Sequence, residues 1–315
     1  MRRTGSLPRA SVARPRQYVI LALLVLLTGV PACERRSPEE QPRSDSAPSA
    51  PRPAGESPPP APPAPARETR YGRIPIPDAT ALFALRDSLG KPAFHEVLKI
   101  NRLDIQHVRA GDSLVVPEGF RDARAVDSLR HSPFPIAIPA VDSLSKFLLV
   151  SIRVQAFAAY ERGRLVHWGP TSTGRRDTPT PVGLYHTNWK DKERTSTVNG
   201  EWLLTWYVNL DNLSGVSFHQ YGLPGRPASH SCIRLLEEDA RWLYDWAEQW
   251  QLTADGAGVL RNGTPVLIFG EYAYGRRPPW KKLPQSPDAA TVTLREIEGA
   301  LTAFPHLGVG PLASR

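Results

Sequence analysis

The sequence predicts a mainly β domain with one prominent helix, preceded by a small α+β module. Three observations predict it. Between Lys146 and Phe269, short runs rich in β-branched and aromatic residues are cut by turn residues, as in Glu161-Arg162-Gly163-Arg164 and Asn262-Gly263-Thr264-Pro265. One amphipathic stretch, Glu237–Gln251, interrupts them, with Leu243, Trp246, Ala247 and Trp250 at spacings of three and four and an acidic start that suits a helix dipole. Ahead of both, two helical patterns and one strand pattern fall between Pro75 and Pro117. A hydrophobic content of 41% in 315 residues supports a real core, while 33 prolines, many clustered, shrink the part that folds. The net charge of +8 is misleading: residues 1–32 hold five arginines and no acid, so the remainder carries +3. With no basic-aromatic platform either, nucleic acid is excluded as a partner.

Taken in order, residues 1–32 have the form of a secretory signal: arginines, then a short apolar run from Tyr18 to Leu27, too short for the roughly 20 residues that span a bilayer. Val30-Pro31-Ala32-Cys33 resembles a bacterial lipobox, which implies a lipid anchor on Cys33, and Glu34 after it favours the outer membrane. Residues 33–70 are a Pro-rich linker too poor in large apolar residues to pack, a semi-stiff spacer at about 3 Å per residue where polyproline II persists.

Residues 75–120 form the small module. Leu82, Leu85 and Leu89 give one helix face, Val97, Leu98 and Ile100 a second, and Leu114–Pro117 a strand after the turn at Ala110–Ser113. The run V-L-K-I-N-R-L-D-I-Q-H-V-R-A-G-D-S-L-V-V-P resembles the second half of a LysM domain, a glycan-binding module, with no opening strand expected before it. Residues 121–145 read as a connector with a short helix at Val126–Arg130. Residues 146–271 are the β domain. Phe147–Tyr160 reads as one strand whose period slips near Ala158, followed by Leu165–Trp168, Trp202–Val208, Val216–Phe218 and Val266–Phe269. Residues 272–315 read as a basic, Pro-rich tail with a short helix near Thr293–Phe304.

The chemistry gathers in Phe218–Leu235, F-H-Q-Y-G-L-P-G-R-P-A-S-H-S-C-I-R-L. Cys232 is the one cysteine of the folded part, and a thiolate is a strong nucleophile that a neighbouring imidazole can generate. Gly222, Pro224, Gly225 and Pro227 make a loop able to bring His219 back toward it. A lone Cys is most often a small buried hydrophobe and a lone His a satisfied core residue; together in one such loop they read as a catalytic pair. Two His and a Cys lack a fourth ligand at zinc spacing, so neither a metal nor any other cofactor is expected. The turn before the helix at Glu237 offers backbone N–H groups to a developing oxyanion.

His219, a spacer and Ser229-His230-Ser231-Cys232-Ile233-Arg234 resemble the L,D-transpeptidase (YkuD) family, as do Thr171–Gly174 and the turn Thr178–Gly183. Ser231 stands where the family has Gly, and a positive φ there would fit Ser poorly. The resemblance implies a YkuD-like β-sandwich and a cysteine acyltransferase acting on peptidoglycan stem peptides. Cys232 would be the nucleophile and His219 the general base and acid, oriented by the carbonyl of Gln220. His230, Ser231 and Arg234 would serve the oxyanion or the substrate. The LysM-like module adds glycan as a partner, and the anchored chain would face the periplasm. Two rival readings are a thiol amidase or carboxypeptidase on the same peptides and a non-catalytic wall-binding lipoprotein.

Overall fold

The chain is described from a computed structural model over residues 69–120, 128–196 and 199–304. The signal stretch, Cys33 and nearly all of the linker lie outside these residues.

The N-terminal module runs strand, helix, helix, strand: β1 (Tyr71–Ile76), α1 (Ala79–Leu89), α2 (Lys91–Asn101), a 3-10 turn (Ile105–His107) and β2 (Asp112–Pro117). Asp78 caps α1 by accepting the Ala81 N–H, and Gly90, at φ 77°, ends α1 and turns the chain into α2. Leu82, Leu85 and Leu89 are buried as their spacing predicts, together with Phe94, Val97 and Leu98. The expectation of no opening strand is corrected: β1 pairs antiparallel with β2 from Tyr71↔Pro117 to Ile76↔Asp112. Its sequence, Y-G-R-I-P-I, breaks the β pattern with Gly and Pro, and a two-stranded ladder tolerates Pro75 because one side of each strand needs no partner.

The rest of the chain folds into two larger sheets. The strands are β3 (Lys146–Ser151), β4 (Ala156–Glu161), β5 (Arg164–Pro170), β6 (Gly183–His186), β7 (Lys190–Thr195), β8 (Leu203–Asn209), β9 (Ser217–Gln220) and β10 (Ile233–Leu235). Then come α3 (Glu237–Trp246), the small hairpin β11 (Gln251–Leu252) and β12 (Val259–Arg261), β13 (Pro265–Phe269) and α4 (Leu294–Leu301). One sheet has the order β5-β4-β3-β13-β6 and the other β10-β9-β8-β7. The single strand expected over Phe147–Tyr160 is two: a turn at Ile152–Gln155 separates β3 from β4, with Gln155 at φ 47°. The Gln155 side chain accepts the Thr173 N–H and donates to the Ile152 carbonyl, which closes that turn. The helix expected to Gln251 stops at Trp246, because Ala247 is extended at ψ 150°.

The five-stranded sheet is buried on both faces. Leu148, Val150, Phe157, Ala159, Val266 and Ile268 point into a core shared with Phe218, Ile233, Leu235 and Leu243. Phe147, Leu149, Ala158, Tyr160 and Leu267 point the other way, against Phe134, Ile138, Trp280, Val292, Ile297 and Leu301. This explains the unbroken apolar runs in β3 and β13, since a strand covered on both sides has no polar face to alternate with. It also corrects the reading of residues 272–315 as a tail: through Ala300 and Leu301 it covers the outer face. α4 opens on a capping box between Thr293 and Glu296, and Glu296 also pairs with Arg153 of the β3–β4 turn at 2.9 Å. Among the described residues no helix is long and apolar enough to cross a membrane.

Candidate active site

β9 and β10 lie side by side in parallel, with Ile233 opposite Phe218 and Arg234 opposite His219. Side chains alternate along a strand. Phe218 and Ile233 therefore enter the core, while Ser217, His219, Cys232 and Arg234 emerge on the opposite face as two neighbouring columns. The sequence separation of His219 and Cys232 is bridged by the loop that carries the chain from the end of one parallel strand to the start of its neighbour.

His219 is 4% exposed. Its Nδ1 lies 2.9 Å from the Gln220 carbonyl oxygen, which only accepts, so Nδ1 carries the proton and Nε2 keeps its lone pair. Burial, opposed by that hydrogen bond and assisted by the nearby Arg234 charge, pushes the His219 pKa down to about 4. Burial also pushes the Cys232 thiol up, against the Ser217 hydroxyl and the Arg234 charge, which pull it down. At rest the two groups are thus both neutral. No hydrogen bond joins them among the described residues; the thiol donates to the Gly215 carbonyl at 3.3 Å and accepts from Ser217 Oγ at 3.3 Å. Both burial effects favour the neutral forms of the pair.

Two cavities meet at Cys232. A narrow cleft of about 30 Å³ on the His219 side is lined by Trp202, Tyr221, His230 and Arg234. A wider one of about 440 Å³ on the Gly215 side is lined by Trp189, Arg194, Tyr207 and Asn209. The His230 ring packs 5.6 Å from Trp202, and its Nδ1 is buried with no partner among the described residues. The Arg234 guanidinium sits 4.5 Å over the Tyr221 ring. No carboxylate pairs with Arg234 among the described residues.

Ser231 has φ 75°, the left-handed conformation that a Gly would take without strain. Its N–H donates to the Thr178 carbonyl at 3.1 Å, and its carbonyl accepts from Thr180 Oγ1 at 2.8 Å. The expectation that Ser231 offers its N–H to an oxyanion is corrected, since that proton is already committed. Thr180 Oγ1 also accepts the Gly174 N–H, and a Cβ at Gly174 would strike the Thr178 carbonyl at 2.2 Å. The second motif, Thr171–Gly183, is therefore a brace under Ser229–Ser231.

Two residues at the site escaped the sequence reading. Ser217 was taken only as strand, although its place two residues before His219 fixes it on the same face. Asp104, in the N-terminal module, gave no local signal, because its partner Leu223 lies 119 residues away.

Residues 145–268 match a family model. It is YkuD, the L,D-transpeptidase catalytic domain. The YkuD match takes in both columns of the site, β3 to α3 and nearly all of β13, and leaves out the N-terminal module and the C-terminal cover. No curated protein matches the chain. Solved structures similar to it include an LD transpeptidase, LdtMt1, in complex with imipenem (20% identity, TM-score 0.33, covering 40% of this chain and 59% of that one). An L,D-transpeptidase from Mycobacterium smegmatis matches at 19% identity and TM-score 0.32, again over 40% and 59% of the two chains. One from Stackebrandtia nassauensis matches at 17% identity and TM-score 0.35, over 62% of this chain and 78% of that one. The chain thus spans less than two thirds of the first two.

Proposed function

We propose that this protein is a cysteine acyltransferase of the L,D-transpeptidase kind, acting on peptidoglycan stem peptides. The observation that carries the reading is the His219 tautomer. Its protonated Nδ1 is held by the Gln220 carbonyl, leaving a lone pair on Nε2, and His219 and Cys232 line one cleft. The YkuD match over residues 145–268 supports the same reaction class.

In the reaction, the Cys232 S–H turns from the Gly215 carbonyl toward His219, and Nε2 takes the proton as sulfur attacks the amide carbon. Ser217 donates a hydrogen bond to the sulfur as its charge develops. With the Ser231 N–H committed to Thr178, the N–H groups of His230 and Cys232 are left to hold the oxyanion. Collapse breaks the C–N bond, protonated His219 returns its proton to the leaving amine, and a thioester remains on Cys232. An amine of a second stem peptide or an envelope protein then attacks that thioester; with water in its place the same site hydrolyses. The donor is a tetrapeptide stem cut between its third residue and the terminal D-Ala, and the guanidinium of Arg234, which meets no carboxylate among the described residues, is suited to a substrate carboxylate.

The N-terminal module is a LysM-like glycan binder in this reading, supported by its strand-helix-helix-strand order. Cys33 is the lipid anchor that holds the chain at the periplasmic face of the outer membrane, a reading that rests on the lipobox pattern alone.

The test is intact-mass analysis after incubation with a stem tetrapeptide and, separately, with a carbapenem. Wild type should gain the acyl mass, and Cys232→Ala should not, with its melting temperature nearly unchanged. Adducts that persist on Cys232→Ala, or none on wild type, overturn the proposal.

A further inference from the structure

The loop between His219 and Cys232 does not stand alone. The segment that follows α2 in the N-terminal module is laid along it. Asp104 N–H donates to the Leu223 carbonyl at 3.2 Å, and Leu223 N–H donates to Asp104 Oδ2 at 2.7 Å. Leu103 forms an antiparallel bridge with Pro224. The approach is close enough to exclude side chains. A Cβ on Gly222 would meet the His107 ring at 2.6 Å, and one on Gly225, at φ 71°, would meet Leu103 at 3.2 Å. Asp104 is itself held: His107 Nδ1 lies 2.8 Å from both carboxylate oxygens, and the His107 N–H donates to Oδ1 at 3.0 Å. A carboxylate that accepts a backbone N–H in a loop and is fixed by an imidazole behind it is a rigid clamp, since charge-assisted hydrogen bonds are the stronger kind.

Resting on Cys232 and His219 as the reacting pair, we infer that Asp104 is a positioning residue for acyl transfer, through which the N-terminal module holds the catalytic loop in its working shape. The module is then part of the catalytic machinery, whatever else it binds. A loop tied only at His219 and Cys232 samples many shapes, and reacting groups misplaced by about 1 Å lose on the order of a hundredfold in rate.

Other contacts keep the module in place without the clamp. Arg102 donates to the Val154 carbonyl at 2.9 Å, Arg73 donates to Gln285, and His95 pairs with Glu238. Asp104→Ala should therefore fold.

The experiment compares full-length wild type with Asp104→Ala, far below the melting temperature of either. Four quantities are read: kcat and KM for stem-peptide turnover, the rate of Cys232 alkylation by iodoacetamide across pH, and amide exchange at Leu223. The expected result is a kcat lowered roughly ten- to a hundredfold with KM little changed. Leu223 exchange should accelerate. Alkylation should become faster and begin at lower pH, because a loosened loop lets water reach a buried thiol. With both proteins fully folded at the assay temperature, turnover falling while thiol reactivity rises reports the loop rather than global unfolding. Asp104→Asn, which keeps one acceptor, should recover part of kcat. Unchanged kcat and an unchanged alkylation profile overturn the inference. If Asp104→Ala does not fold, His107→Ala carries the same test with smaller effects in the same directions, and wild-type behaviour there overturns it. Should wild type itself fail to be acylated by the peptide, the proposed function falls, while the alkylation profile and Leu223 exchange still decide the clamp.

Discussion

At the scale of single residues, the site rests on two neutral groups held in low dielectric. The folded-state pKa of His219 is depressed from 6.5 to about 4, so the folded chain binds fewer protons than the unfolded chain between these values. Stability from this residue is complete above about pH 6.5 and is lost as pH falls toward 4, where the loss reaches roughly 3 kcal/mol. The slope of unfolding free energy against pH in this window should flatten in His219→Ala, as measured by denaturant titration at several pH values. The same variant should lower the acylation rate by at least about a hundredfold, the usual scale for a lost general base. His230→Ala, which removes a ring packed on Trp202, should cost less in acylation and more in stability. If the two variants exchange these effects, the base is His230. Ser231 is a second test. Its φ of 75° strains an L side chain by about 1–2 kcal/mol. Glycine relieves that strain but loses more entropy on folding, about 0.5–1 kcal/mol. Ser231→Gly should therefore stabilise the protein by no more than about 1.5 kcal/mol with Cys232 acylation intact, because both backbone hydrogen bonds of the residue survive. A lower melting temperature would show that its hydroxyl matters.

Among the elements, those that carry a local signal were legible and those that depend on distant partners were not. The α3 stripe and the turns at Gly163 and Gly263 are written in a few adjacent residues, as is the His219–Cys232 loop. β7 is K-D-K-E-R-T, at the edge of its sheet, where charges guard the open side against pairing with another chain. Nothing in that sequence says strand until β8 lies beside it. β1 was hidden in the same way by Gly72 and Pro75. The C-terminal cover was misread because Pro and Lys dominate its composition, while its apolar residues meet a sheet whose strands β3 to β5 lie far earlier in the chain. Trp280 shows what this cover contributes: it is fully buried against that sheet. Trp280→Ala should destabilise the protein by about 3–5 kcal/mol, read by urea unfolding. Trp280→Phe should cost much less, because among the described residues the indole N–H has no hydrogen-bond partner to lose. A loss below about 1 kcal/mol in Trp280→Ala would mean the cover is not part of the folding unit.

For the whole molecule, the mainly β architecture followed from the strand spacing, but not the way its pieces depend on one another. The sequence reading separated a module, a connector, a catalytic domain and a tail; the described residues of all four share cores or hydrogen bonds. The two-faced burial of the five-stranded sheet also sets an order in time. β3 and β4 are made more than a hundred residues before α4, and an emerging chain folds as its units become complete. Until Trp280, Val292 and Ile297 have been made, Phe147, Leu149 and Leu267 have only the earlier Phe134, Ile138 and Val141 to cover them on that side. The outer face of the sheet is therefore completed only when α4 is in place. On that side such a chain stays partly open, and within reach of chaperones, until α4 has been added.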